Sequence, residues 1–224
     1  MPAPAHARLA LGGLLQVREV WVPTWRGWLL LLVALGGLTG SMVFGLYPFL
    51  AIDEPLNSGV LAVEGWANRT TLRQAGERSQ AFGYQGFYVT GGPIESDNAL
   101  QEYGTYAALG ASELRKIGAP PALPVPAPRV RKDRTYASAV ALRDALREKG
   151  GVPSEVTVVS QGAHARRTRL LFQKAFGDQT RVGVLAARVE DGYDPKRWWT
   201  YSAGFRDVIG EAIAYLYARL LFWK

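Results

Sequence analysis

The pattern of apolar and polar positions divides the chain near its start. From residue 27 to 52 no charge occurs, and 28–51 read WLLLLVALGGLTGSMVFGLYPFLA. A helix rising about 1.5 Å per residue needs about 20 such residues to cross a hydrocarbon layer of about 30 Å. The apolar part of a cleaved signal peptide is shorter, about 7–15 residues. Trp21, Trp25 and Trp28 precede the run and Tyr47 and Phe49 close it, as interfacial aromatic belts do. Gly36, Gly37, Gly40 and Gly45 weaken a soluble helix but are common in membrane ones. The expected organisation is a tail over 1–26, an uncleaved anchor over 27–52 and one α/β domain over 53–224. A buried core helix is the competing reading of the run.

From residue 59 the pattern changes to short apolar runs alternating with helical periods. GVLAVEG (59–65), GFYVTGG (86–92), EVTVVSQG (155–162) and RVGVLAA (181–187) read as strands. Between them the spacing predicts helices over 70–82, opened by Thr70 or Thr71, over 97–110, and over 112–117 after a break at Gly110. Further helices are predicted over 134–149, where Asp133 or Thr135 serves as cap, and over 163–176, ended by Gly177. The proline-rich 119–130 suits an extended connection or an edge strand. This βα alternation predicts a mostly parallel sheet flanked by helices, a Rossmann-like three-layer fold. Three strand ends would then share one rim: Glu64-Gly65-Trp66, Thr90-Gly91-Gly92 and Ser160-Gln161-Gly162. The last segment, 203–223, is apolar yet carries Glu211 and Arg219. A docked helix whose aromatic end touches the bilayer fits it better than a second crossing.

Charge adds a direction. Arg8, Arg18 and Arg26 precede the apolar run, Asp53 and Glu54 follow it, and the next basic residue is Arg69. The positive-inside rule places the N-terminus in the cytoplasm and the domain outside. Past residue 52 there are 23 basic and 18 acidic residues, an excess of five that suits anionic headgroups or phosphorylated ligands. No basic–aromatic array points to nucleic acid. The chain has no cysteine, which is compatible with export without disulfides.

The sharpest candidate chemistry is Gly162-Ala163-His164-Ala165-Arg166-Arg167-Thr168-Arg169, at a strand-to-helix junction. Helix N-termini attract anions, so three arginines there oppose the dipole unless a negative group lies near. Either an anionic ligand or pairing with acids such as Glu190 and Asp191 would resolve the conflict. His164 is the only histidine after the anchor, which excludes a multi-histidine metal site. It reads as a general acid or base, or as a hydrogen-bond donor to phosphate. Thr90, Gly91 and Gly92 offer backbone groups, and Thr135 and Ser138 share a helix face. Tyr193 to Trp199 would roof the site, lie on the membrane or pack in the core. There is no Walker loop, GxGxxG, GxSxG elbow or HExxH pair, and whether a cofactor is used is left open.

Together these residues resemble the ElyC/SanA/YdcF-like family, the domain of unknown function 218, over about 58–190. Carrying the resemblance are Glu64-Gly65, Thr90-Gly91-Gly92, the helix start at Thr135, and His164 with Arg167 three residues on. The family often has asparagine where Ser138 stands, and its acidic residue after the glycine turn has Glu95, Asp97 and Glu102 as candidates. The resemblance implies a bacterial inner-membrane protein of envelope biogenesis with a periplasmic or extracytoplasmic domain. On that expectation the partners are the bilayer, a phosphorylated or lipid-linked small molecule and other envelope proteins. Glu64, Gly65, Thr90, Gly91, Gly92, Thr135, Ser138, Arg166 and Arg167 would bind the ligand and His164 would transfer a proton. A non-catalytic sensing module is the alternative.

Overall fold

The computed structural model describes residues 9–10, 15–16, 20–95, 100–188 and 192–222. The chain divides into two compact units, Met1–Met42 and Val43–Lys224. In the first, Leu9–Ala10 pairs antiparallel with Leu15–Gln16, and helix α1, Trp25–Leu50, begins. α1 is long and apolar enough to span a membrane, and none of its most apolar 18-residue window is buried. Its last two turns belong to the second unit, where Leu50 is fully buried.

The second unit is a three-layer α/β domain. Strands β1 (Val60–Glu64), β2 (Gly86–Gly91), β3 (Leu123–Pro126), β4 (Glu155–Gln161) and β5 (Arg181–Ala187) form one parallel sheet in the order β3-β2-β1-β4-β5. The proline-bearing LPVP segment takes an edge, where a missing N–H does least harm. Helices α2 (Arg69–Ala81), α3 (Tyr106–Lys116), α4 (Arg134–Glu148), α5 (Ala165–Phe176) and α6 (Ser202–Leu220) complete it.

Strand periodicity decides which way each side chain faces. Leu61, Val63 and Val89 pack with Leu72, Ala75 and Leu114 of α2 and α3. Val60, Ala62, Val156 and Val158 pack with Leu142, Leu146, Phe172 and Phe176 of α4 and α5. The next residues on that second face are Glu64 and Ser160, so both polar groups enter the layer between the sheet and α4/α5. The chain winds outward from β1 in both directions. The crevice beside β1 and β4, where ligands of such sheets bind, therefore lies at these two residues.

Two helix assignments differ from the sequence-based expectation. α2 starts earlier, because Asn68 Oδ1 accepts from Thr71 N at 2.9 Å and caps it. α3 is one helix with no break at Gly110; Thr105 caps it, and among the described residues after 95 the turn Gln101–Tyr103 precedes it. Asp97, in the expected first part of that helix, lies outside the described residues. Gly110 is there for contact. A Cβ on it would meet Gly65 Cα at 2.7 Å, and one on Gly65 would meet Tyr106 O at 2.1 Å. α3 thus rests directly on the end of β1.

Candidate functional site

At the carboxyl ends of β1 and β4, a cleft of about 580 Å³ is lined by Trp66, Gly91, Gly92, Thr135, Ser138 and His164, among others. Arg167 and Glu211 complete its floor, and Arg129, Lys132 and Arg134 stand on the wall before and at the start of α4.

Glu64 lies under this floor, 1% exposed. A buried carboxylate must find partners, and three hydroxyls from three elements donate to it. Thr135 Oγ1 donates to Oε1 at 3.2 Å, while Ser160 Oγ and Thr168 Oγ1 reach Oε2 at 3.1 and 3.3 Å. His164 Nε2 adds an ion pair 3.4 Å from Oε2.

The other imidazole nitrogen meets the C-terminal helix. Nδ1 lies 3.0 Å from Glu211 Oε1 and also 3.0 Å from Arg167 Nη2. A neutral ring would accept from Arg167 there; an imidazolium donates to Glu211 instead. Burial alone would lower the pKa of His164, but Glu64 and Glu211 on either side override it and raise it to about 9. The imidazolium is the resident form at neutral pH, and Glu211 bridges it to Arg167. Burial would likewise raise both acids. The His164 charge, with Arg167 and the Ser160 hydroxyl, instead holds Glu64 below its ordinary range, and hydrogen bonds from His164 and Arg167 with their charges hold Glu211 at about 2.

Arg167 Nε and Nη2 donate to the two oxygens of Glu211 at 2.8 and 3.1 Å, and Nη1 donates to Asp133 Oδ2 at 3.3 Å. Asp133 is also the cap of α4, accepting from Tyr136 N. The floor is therefore a chain, Glu64–His164–Glu211–Arg167–Asp133, in which three carboxylates hold two cations. Trp66 packs edge-on against His164, ring centroids 5.2 Å apart. Among the described residues, Thr90 Oγ1 and His164 Nε2 are the buried side-chain polar atoms without a hydrogen-bond partner.

Of the residues expected at the site, His164, Gly91, Gly92, Thr135, Ser138 and Arg167 come together on the cleft. Glu64 supports it from below, and Thr90 is buried beside Glu64 in the sheet register. Gly65 faces α3 instead. Arg166 leaves the cleft: it donates to Phe49 O and stacks over the Phe49 ring at 4.0 Å. Arg169 pairs with Glu54 at 2.6 Å and donates to Val182 O. The conflict of arginines with the helix dipole is thus met by internal partners. Glu190 and Asp191, the partners considered from sequence, lie outside the described residues. Trp198 packs with Leu50, Ala163 and Val208, so the aromatic segment serves the core.

Sequence reasoning missed Glu211, Thr168 and the second role of Asp133. The signal for Glu211 was available: Gly204, Val208, Glu211 and Ala218 recur at helical spacing on one face. Among the described residues, no group of three or more acidic or histidine side chains could hold a metal ion.

Fold and cleft define a class, an α/β domain of Rossmann-type strand order with a polar switch-point cleft, following a helix able to span a membrane. Comparison with family models, with curated proteins and with solved structures returned no match.

Proposed function

We propose that the cleft binds a phosphorylated or lipid-linked anionic ligand of the bacterial cell envelope, in a single-pass inner-membrane protein with its N-terminus in the cytoplasm. One observation carries the ligand reading: of the five cations that line the cleft beside Glu95, Asp133 and Glu211, two are left without an acid among the described residues. Arg129 is paired with Glu95, and the floor cations with Glu64, Glu211 and Asp133. Arg129, Lys132 and Arg134 are exposed on its wall and His164 and Arg167 stand on its floor. Lys132 and Arg134 have no ion-pair partner among the described residues. They are poised to meet an anion whose inner end reaches the floor. The resemblance to the ElyC/SanA/YdcF-like family supports the envelope assignment, and Arg8, Arg18 and Arg26, which precede the charge-free run, support the orientation.

The state of His164 bears on enzyme against sensing module. A general base works best with a pKa near the working pH, and an imidazolium held at about 9 between two carboxylates is a poor proton acceptor. That argues against a general-base role for His164 and leaves it as a hydrogen-bond donor to the ligand or a general acid.

The test removes only exposed charge. Lys132→Ala/Arg134→Ala should leave the melting temperature unchanged. Charge-assisted contacts are worth about 1.5–3 kcal/mol each, so affinity for undecaprenyl phosphate or another phosphate-bearing envelope precursor should fall at least about tenfold. If no phosphate-bearing compound stabilises the parent protein, the ligand reading fails. A reporter fused to Lys224 that works only outside the cytoplasm should be active; activity of the cytoplasmic reporter alone overturns the orientation.

A further inference from the structure

α6 is apolar on two opposite faces. One packs inward: Gly204, Val208 and Ala218 are buried, and Glu211 enters the cleft. At 100° per residue, Phe205, Ile213, Leu216, Tyr217 and Leu220 fall in an arc of about 120° on the other side. They are 53, 63, 55, 45 and 63% exposed. A contiguous exposed apolar stripe on a helix whose other side is already packed marks a contact surface. No acidic side chain interrupts the arc, since Asp207 and Glu211 lie on the inward half; Arg206, in the first turns of α6, is the one charged residue within it.

What covers the stripe follows from its neighbour within the same unit. The last turns of α1 pack on α6: Leu50 shares a buried cluster with Val208, and Phe49 meets Tyr215 edge-on with ring centroids 5.6 Å apart. Trp198, in the turn before α6, donates its indole N–H to Val43 O at 3.0 Å. Phe44 and Phe49 remain exposed there, on the helix apolar enough to span a membrane. The apolar surface of α6 is thus continuous with the end of that helix. Exposed Arg206 and Arg219 stand near the two ends of α6, placed for anionic headgroups.

We infer that the outer face of α6 lies in the membrane interface, its stripe among the upper acyl chains. The inference does not depend on what the cleft binds. It does set a distance: Glu211 lies across the helix from the stripe, so the cleft floor stands about 10 Å, one helix diameter, from the lipid. A headgroup still attached to its lipid could reach it.

The chain has no cysteine, so single reporter sites can be introduced without background. Full-length Ile213→Cys, Leu216→Cys and Leu220→Cys, with Gln80→Cys on α2 as the control, are labelled with an environment-sensitive fluorophore. They are reconstituted in phosphatidylglycerol–phosphatidylethanolamine vesicles containing acyl-brominated lipid. The stripe labels should be blue-shifted and quenched severalfold more than the label at position 80. Equal quenching at all positions overturns the inference. So does efficient disulfide capture between copies through position 213 without quenching, which would assign the stripe to a second copy of this chain. Three stripe positions keep the result readable if one variant misfolds.

Discussion

His164 shows how much one buried residue depends on its neighbours. Its pKa is about 9 in the fold against 6.5 for the free side chain. The stability it contributes is therefore fully present below about pH 6.5 and is lost as pH rises through about 9. Glu211, at about 2 in the fold against 4.5, acts in the opposite sense: its contribution is present above about 4.5 and is lost as pH falls toward 2. Denaturant midpoints measured from pH 6 to 10 should fall steadily for the parent protein. The slope should flatten in His164→Gln, whose side chain cannot carry the charge. A parent midpoint that rises from pH 6 to about 7 and does not fall toward 9 would show that the imidazole is neutral, accepting from Arg167.

At the scale of elements, the junction of β1 with α3 is the tightest contact beside the site. Gly65 and Gly110 let two backbones touch, and a Cβ at 110 would also meet Val89 Cγ1 at 2.8 Å. Neither atom belongs to the end of a flexible side chain, so the helix itself must shift. Gly110→Ala should destabilise by about 1–3 kcal/mol despite the better helix propensity of alanine. Gly83→Ala, which would meet nothing within 4 Å, is the comparison. Urea titration of both variants measures the difference; equal midpoints would mean α3 can ride outward freely. The glycines near the site were visible in sequence as turn formers, but their use as contact surface was not, because closeness of two backbones leaves no local pattern.

In the whole molecule α6 ties three parts together. It covers Leu50 of α1 and Leu171 of α5, and its Glu211 holds both His164 and Arg167. Breaking a buried ion pair costs about 3–5 kcal/mol, a large share of the roughly 5–15 kcal/mol that holds a domain together. A chain ending at Tyr201 should therefore lose its cooperative melting transition and become rapidly proteolysed between 43 and 201. A cooperative melt close to that of the full chain would reduce α6 to an accessory.

The long apolar helix, the parallel sheet and the rim were legible in the sequence because each rests on a pattern within a short window. A charge-free run of helix-spanning length, strands of five to seven residues and glycine stops are local facts. His164 and Arg167 were legible for the same reason, lying one helical turn apart. What they touch was decided only in three dimensions. Asp133, Glu64 and Glu211 come from separate parts of the chain, and it is sheet order and the docking of α6 that bring them within hydrogen-bond reach of the pair. Arg166 and Arg167 are adjacent and chemically alike, yet the 100° turn of α5 sends one to Phe49 and the other to the cleft. Sequence settles which side chains are present and how each element is phased. The charge state of a buried histidine depends on which carboxylates the fold sets around it.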